Sequence, residues 1–246
     1  ELLQTPASSI VSHWMDVGIW NAWSLLPAFC TDSSIDMFEM ANGVDFSDWY
    51  KHYPSSLHNA NEFVAVIADL EVEACVDNVD WERLAGKTVL ELGGHYGNVL
   101  DAVHSKHQTV RCLSLDLQDV IDAAPGTSVE LIAGDLFDPT SWPECDAIFM
   151  KHIVFCDWDD ERSMQILQSC CEILPPDGLL VIAEAVLTSN KLSVYADALM
   201  LLARRQSALT ESEWASAAEA TGFILESVTQ TVTPTCSILM LRKKVV

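Results

Sequence analysis

Basic residues are scarce in this chain. The 246 residues include 13 Lys and Arg against 36 Asp and Glu, which gives a formal net charge of −23. A surface of that sign repels the phosphates of nucleic acids and the headgroups of anionic lipids. The composition therefore argues against a nucleic-acid or membrane partner, and acidity of this degree is usually a solubility feature.

The chain also lacks long apolar runs, although 50% of its residues are hydrophobic. No stretch reaches the roughly 18–20 apolar residues that span a bilayer. The first residue is Glu1, and no basic segment followed by an apolar one comes after it, so a secretion signal is not indicated. The missing initiator Met suggests a trimmed chain or a piece of a larger polypeptide.

A metal-binding cysteine motif is absent as well. None of the eight cysteines forms a CxxC pair, and His104 and His107 stand three residues apart without a third ligand in view. We therefore expect no metal site. Cysteines used in this way are typical of buried free thiols in a reducing compartment, which predicts a cytoplasmic location.

The chain divides into two patterns. Residues 1–79 are helical and rich in aromatic residues, which predicts a substrate-side segment with a packed aromatic core. Residues 80–246 alternate apolar strands with helices, which predicts a mostly parallel sheet covered on both faces. The predicted strands are Thr88–Leu92, Thr109–Leu115, Val129–Ala133, Ala147–Met150, Leu179–Ala183, Phe223–Thr229 and Ser237–Arg242. The short link between the last two predicts an antiparallel hairpin.

A glycine turn follows the first predicted strand. Residues 88–98 read TVLELGGHYGN, and a helical stretch begins at Asn98. Such a turn presents backbone N–H groups to a ligand at the edge of a parallel sheet. Asp116 closes the second apolar run nineteen residues after Gly97, where a carboxylate can accept both hydroxyls of a ribose. The sequence therefore predicts a nucleoside-bearing cofactor.

Three classes of nucleoside cofactor can be compared at this turn. A P-loop requires a Gly-Lys-Ser/Thr ending, and a nicotinamide site prefers GxGxxG; the turn from Gly93 to Gly97 has neither. An acidic residue such as Glu91 shortly before the turn is typical of S-adenosylmethionine sites, where the methionine amino group needs a carboxylate. A final antiparallel strand also favours that fold.

Several segments in one order resemble the S-adenosylmethionine-dependent O-methyltransferases of the caffeate and hydroxyindole type, from about Trp23 to Leu241. The segments that carry the resemblance are MFEMANGVDF (37–46), ELGGHYG (91–97), LDLQDVI (115–121), AGDLF (133–137), MK (150–151), DWDDE (157–161) and LMLLA (199–203). The resemblance implies a Rossmann-like class I methyltransferase fold with seven strands. It also implies that the family's N-terminal dimerisation domain is absent here, either removed or left on a larger polypeptide from which this chain was cut. We expect the chain to be a homodimer or part of such a polypeptide.

The resemblance implies roles for individual residues toward S-adenosylmethionine. The backbone of Gly93 and Gly94, with Glu91 before them, would approach the methionyl portion. Asp116 would hold the ribose hydroxyls, and Leu117 is the next implied cofactor residue. The remaining implied cofactor residues are Asp135 at the adenine amino group, Leu136 beside the ring, and Lys151 closing the site. Asp135 and Lys151 have plainer interpretations as a turn residue and a solvated strand end.

The chain departs from the family at the catalytic base. The family has a His just before Asp-Trp and four residues after the lysine, whereas residues 151–158 read KHIVFCDW. Counting forward from Lys151 gives Phe155, and counting back from Asp157 gives Cys156. The resemblance assigns two orienting glutamates, of which Glu184 is present and the second is replaced by Ala208.

His152 is the nearest imidazole in the sequence. If the strand continues through it, its side chain lies on the face opposite Phe155, because the two are three residues apart. Three explanations stay open. The acceptor is a thioether or thiol that needs no base; Cys156, His152 or a substrate group serves a hydroxyl; or the domain binds the cofactor without turnover. The sequence thus predicts a methyltransferase for a small-molecule O- or S-acceptor, with a non-catalytic S-adenosylmethionine-binding scaffold as the alternative.

Overall fold

A computed structural model describes residues 6–124, 126–204 and 207–244. The chain divides into a helical unit, Glu1–Glu71 with Val194–Ser207, and a sheet unit, Val72–Ser193 with Ala208–Val246. This division differs from a boundary at residue 79, because residues 194–207 group with the amino-terminal helices. The substrate-side role expected for residues 1–79 stays a prediction.

Seven strands form one mixed sheet within the described residues. Their bounds are β1 Thr88–Leu92, β2 Arg111–Asp116, β3 Glu130–Ala133, β4 Ala147–Lys151, β5 Leu179–Glu184, β6 Phe223–Gln230 and β7 Ser237–Lys243. The strand order is β3-β2-β1-β4-β5-β7-β6. β1 to β5 are parallel, whereas β7 runs antiparallel to both β5 and β6. The mostly parallel sheet and the final hairpin confirm the predicted fold class.

Helices connect the strands of the sheet unit. These helices are α7 Asn98–Lys106, α8 Gln118–Asp122, α9 Asp160–Ile173 and α11 Glu211–Ala220. Short 3₁₀ helices lie at Trp81–Leu84 and Pro139–Ser141. Alternate residues of the strands enter two separate apolar cores, because successive side chains of a strand point to opposite faces. One core contains Trp214 of α11, and the other contains Val99 and Leu100 of α7, so the sheet is covered on both faces.

The helical unit is built around aromatic residues. Its helices are α1 Pro6–Trp14, α2 Val17–Trp23, α3 Leu26–Phe29, α4 Met37–Asn42 and α5 Phe46–His52; α6 Pro54–Asn78 and α10 Lys191–Arg204 each continue into the sheet unit. Phe38 and Trp49 are 1% and 5% exposed, and they pack edge to face. A Cβ at Gly18 would lie within 3 Å of both rings, so only glycine allows this approach of α2. Trp20, in contrast, is 59% exposed.

None of the helices in the described ranges combines the length and the hydropathy that crossing a bilayer requires.

Candidate functional site

The candidate site lies at the carboxyl ends of the parallel strands. Glu91 lies near the end of β1, Asp116 ends β2, Lys151 ends β4 and Glu184 ends β5, while Asp135 follows β3 by two residues. The chain passes from β1 outward to β2 and β3, and then returns to β4 on the other side of β1. A reversal of strand order opens a crevice beyond the carboxyl ends, where α/β proteins bind ligands.

The turn after β1 depends on its glycines. Gly93 has φ +66°, and Gly97, at φ +73°, is the N-cap of α7. A Cβ on Gly94 would lie 2.1 Å from Oγ of Ser114 and 2.4 Å from Oε2 of Glu91. The close approach of the Gly94 backbone to these buried polar groups explains why the turn contains glycine there.

Glu91 is a buried acid beside this turn. It is 3% exposed, and Oγ of Ser114 donates a hydrogen bond of 3.0 Å to its Oε2. Burial raises the pKa of Glu91 to about 8, although the Ser114 hydrogen bond and the charge of Lys151 lower it. A carboxyl in that state gains a favourable interaction from an added cation, because its own charge is poorly solvated.

Asp116 is fixed by the backbone on both sides of it. Its Oδ2 accepts the N–H of His95 in the glycine turn, and its Oδ1 accepts the N–H of Leu117, both at 2.8 Å. These bonds orient the carboxylate and leave further lone pairs for other donors. The side chain of Leu117 is 56% exposed, which offers an apolar surface next to the carboxylate.

Asp135 and Leu136 lie in the turn after β3. Oδ1 of Asp135 accepts the N–H of Phe137 at 2.8 Å, which is the Asx turn that an aspartate commonly forms. Nε1 of Trp142 donates to the backbone carbonyl of Asp135 at 2.9 Å, so the turn is held by the core. Leu136 is half-buried and packs against that same core.

These residues fit a cofactor that carries a cationic amino group, a ribose and an apolar ring. The buried Glu91 carboxyl suits the amino group, the oriented Asp116 carboxylate suits vicinal hydroxyls, and the exposed Leu117 suits a ring. The turn that brings them together would be blocked by a side chain at Gly94. The predicted cofactor residues therefore lie along one edge of the sheet, in the sheet unit alone.

The segment from β4 to α9 is strained at two positions. β4 ends at Lys151, and His152 follows with φ +55°; Phe155 has φ +60°. Such values are uncommon for residues other than glycine and cost of order 1–3 kcal/mol each. The alternation argument that set His152 against Phe155 does not apply, because the strand has already ended.

His152, Cys156 and Glu184 come together at the ends of β4 and β5. Nδ1 of His152 lies 2.9 Å from Oε1 of Glu184, which also accepts the N–H of Ala185 at 2.7 Å. A carboxylate partner at Nδ1 makes this nitrogen the N–H donor and leaves Nε2 as an acceptor. Burial raises the pKa of Cys156 above its usual range, although its hydrogen bond to His152 lowers it. The thiol is therefore protonated at neutral pH, and the imidazole is the better base.

The side chain of Phe155 packs against the apolar core of the sheet unit. Its ring packs edge to face against Trp214, with centroids 5.2 Å apart. Its backbone N–H donates to Oγ of Ser163 at 2.7 Å, and Ser163 is fully buried on α9. Of the two residues that counting allowed at the base position, Cys156 is therefore the one beside Glu184.

Ala208 lies in the segment that precedes α11. Leu187 bridges to Thr210, and its N–H donates to the carbonyl of Leu209 at 2.9 Å, so this segment runs beside the chain leaving β5. The side chain of Ala208 is a methyl group and offers no carboxylate. Glu184 is thus the carboxylate that orients His152 among the described residues.

Sequence reasoning missed three residues that position this site. Ser114 donates a hydrogen bond to Glu91, and Ser163 accepts one from the backbone N–H of Phe155. The side chain of Ile153 occupies the space beside Gly93. Ser114 carried a signal, because it is a polar residue inside an otherwise apolar strand. Ser163 and Ile153 carried none, since a serine in an amphipathic helix and an apolar residue after a strand are ordinary.

Comparison with known proteins agrees with this geometry. A family model for an O-methyltransferase domain matches residues 23–224. Norreticuline-7-O-methyltransferase of Papaver somniferum is 29% identical over 226 residues, which are 88% of this chain and 62% of that protein. Caffeic acid 3-O-methyltransferase 1 of Ocimum basilicum is 37% identical over 146 residues, 56% of this chain and 40% of that protein. The chain thus spans less than two thirds of the length of these curated relatives.

Solved structures share the fold. The calicheamicin-biosynthesis methyltransferase CalO1, solved with SAH bound, has a TM-score of 0.81 at 21% identity, covering 98% of this chain and 73% of that one. The mitomycin 7-O-methyltransferase MmcR has a TM-score of 0.74 at 22% identity, covering 99% and 74%. At these identities the likeness concerns the fold.

Proposed function

The chain belongs to the O-methyltransferase domain family, and on that premise we propose that it transfers a methyl group from S-adenosylmethionine to a hydroxyl of a small molecule. The observation that carries the proposal is the His152–Glu184 pair at the carboxyl edge of the sheet, next to the glycine turn. A thiol or thioether acceptor is the alternative within the same activity, and a scaffold that binds the cofactor without turnover is the competing class. A cytoplasmic location and a homodimer stay predictions.

The cofactor-binding part of the proposal assigns one chemical task to each residue. Glu91 holds the cationic amino group of the methionyl portion, Asp116 accepts the ribose hydroxyls, and Asp135 accepts the adenine amino group beside Leu136. When bound, S-adenosylmethionine supplies a methyl group on a positively charged sulfur. Lys151 lowers the pKa of Glu91, and the cationic amino group of a bound cofactor would lower it further.

His152 removes the proton of the acceptor in this proposal. A hydroxyl with a pKa near 10, such as a phenol, is a weak nucleophile at neutral pH until its proton is removed. Glu184 accepts the Nδ1–H of His152 and so keeps Nε2 free of a proton and fixed in direction. It also stabilises the imidazolium that forms when the acceptor proton arrives, since the carboxylate is buried beside it.

Calorimetry with S-adenosylmethionine and its demethylated product tests the part that both classes share. We expect one binding site, with affinity lost in Asp116→Asn while Asp119→Asn, an exposed residue of α8, binds as the unchanged chain does. If neither compound binds, both the methyltransferase and the scaffold are excluded.

Turnover with a matched pair of acceptors tests the base. We expect His152→Ala to lower kcat for caffeic acid, the phenolic substrate named for one relative, by about 10²–10⁴-fold, the range for loss of a general base. Thiophenol is acidic enough to be ionised without a base, so its methylation should change much less. Both rates are measured as transfer of labelled methyl.

His104→Ala is the control, because His104 lies near the far end of α7 and not at the carboxyl edge of the sheet. Binding of the cofactor without transfer to either acceptor would favour the scaffold. An equal loss for both acceptors in His152→Ala would contradict a role in proton removal.

A further inference from the structure

One group of side chains has the composition of a metal site. His152, Cys156 and Glu184 each offer a ligand atom, and these atoms all lie within 4.8 Å of one another. In the described part of the chain no other group of three such residues is this close. Nitrogen, sulfur and oxygen ligands in one cluster are not what a solvated acidic surface contains.

Glu184 has an unused ligand atom in this cluster. Its Oε1 accepts two hydrogen bonds, from His152 and from the N–H of Ala185, whereas its Oε2 is buried and has no hydrogen-bond partner. The residue is 5% exposed, so water does not satisfy that oxygen freely. A buried carboxylate oxygen without a partner is unfavourable, and a cation bound to it removes the cost.

We propose that His152, Cys156 and Glu184 bind a borderline divalent cation of the Zn²⁺ type. Thiolate and imidazole select such a cation over Mg²⁺ and Ca²⁺, which prefer oxygen. Cys156 loses its proton on binding, so a thiolate and a carboxylate together match the charge of the ion. A buried site that is neutral as a whole avoids the cost of leaving any one charge unpaired.

The three ligand atoms already lie in one small region. They are within 4.8 Å of one another, and zinc bonds of about 2.0–2.3 Å in a tetrahedron require them to be roughly 3.3–3.6 Å apart. Cys156 follows His152 by four residues in one loop, and Glu184 ends the neighbouring strand, β5. Three protein ligands leave one position open, as in catalytic rather than structural zinc sites. Cysteine spacing did not predict this site, because no CxxC pair is present and Glu184 is 32 residues away from His152 in the sequence.

Cobalt, which replaces zinc and is coloured, tests the site in the full chain. After chelation, titration with Co²⁺ in excess Mg²⁺ should saturate at one equivalent. It should produce sulfur-to-cobalt charge-transfer absorption in the near ultraviolet, and added Zn²⁺ should abolish that absorption. Cys156→Ser should lose the charge-transfer absorption. Glu184→Gln should weaken Zn²⁺ binding by more than about 10-fold, because replacing a residue that only supports a ligand already costs about that much.

Cys145→Ser and Cys30→Ser are the matched controls. Cys145 is half-buried at the amino end of β4, away from the cluster, and Cys30 is exposed in the helical unit. Both should bind as the unchanged chain does. The proposal is overturned if Mg²⁺ removes all Co²⁺ binding, or if the absorption survives Cys156→Ser and disappears in a control. The readout does not depend on methyl transfer, so the metal site is tested separately from the proposed activity. A bound cation would occupy His152 and Glu184, so the proposed role of His152 as a base applies to the chain without the ion.

Discussion

Two buried glutamates in the candidate site differ in their surroundings. Glu184 meets an imidazole and a backbone N–H through one of its oxygens, whereas Glu91 has a serine hydroxyl and the more distant charge of Lys151. Desolvation favours the neutral form of an acid unless donors or cations compensate for it. The protonation of Glu91, whose pKa is raised to about 8, should therefore respond to pH in the absence of a ligand.

We expect the cofactor-free chain to lose stability as pH rises, and Glu91→Gln to reduce that loss. The folded-state pKa of Glu91, about 8, lies above its ordinary value of 4.5, so the folded chain holds a proton that the unfolded chain releases. The free energy of unfolding then falls between these two pH values. Urea unfolding at about pH 6 and about pH 8.5 measures the difference.

Glu62→Gln is the control for this experiment, since Glu62 is exposed on α6 and its substitution removes the same formal charge. A pH dependence that is identical in the unchanged chain and in both variants would contradict the assignment to Glu91.

Gly94→Ala should both destabilise the chain and weaken S-adenosylmethionine binding. The added Cβ would overlap Ser114 and Glu91, which are buried and hydrogen-bonded to each other, so the turn must move. Overpacking of this kind typically costs about 1–3 kcal/mol. Urea unfolding and calorimetry check the two effects. Gly126→Ala has open space around its Cβ and should be close to neutral; equal behaviour of the two variants would mean that the close approach at Gly94 has no consequence.

Among the elements, the strands followed the sequence more closely than the loops did. β1 has the predicted bounds, and the other strands differ from prediction by one or two residues at their ends. Apolar runs bounded by glycine or polar residues identify a buried parallel strand, because both of its faces are covered. The loop between β4 and α9 could not be derived in this way. Its conformation depends on contacts that Phe155 makes with Ser163 of α9 and with Trp214 of α11, and Trp214 is distant in sequence.

Contacts between residues distant in sequence also limited how much of the candidate site could be predicted. Glu91, the glycines and Asp116 were identifiable because their spacing along one strand–turn–helix unit reflects local geometry. The pairing of His152 with Glu184 was not, since 32 residues separate them and their contact depends on the register of β4 against β5.

Thr210→Ala should destabilise α11. Oγ1 of Thr210 accepts the N–H of Glu213, and the Glu213 carboxylate accepts the N–H of Thr210, which is a complete capping box. Loss of such a cap costs about 0.5–2 kcal/mol. Thermal or urea unfolding measures it. Thr210→Ser retains the oxygen and should recover most of the loss; a serine variant as unstable as the alanine one would point to the lost methyl group instead.

For the whole molecule, the net charge of −23 predicts that salt stabilises the fold. Like charges repel more strongly in the compact state, and salt shortens the Debye length from about 30 Å at 0.01 M to about 3 Å at 1 M. We expect the urea midpoint to rise with NaCl over this range. If charge screening is the cause, KCl at the same ionic strength should raise the urea midpoint by the same amount. A midpoint that falls with both salts would show that attractive ion pairs outweigh the repulsion.

The reversal of strand order between β1 and β4 has an evolutionary consequence. The crevice at that point is opened by the connections of the backbone, so it persists when side chains around it are replaced. A side chain at the edge of such a crevice can be replaced without closing it. A loop such as the one after β4 can then carry different reactive groups. Selection on such a fold changes what is modified through a few substitutions, while the donor of the modifying group is retained.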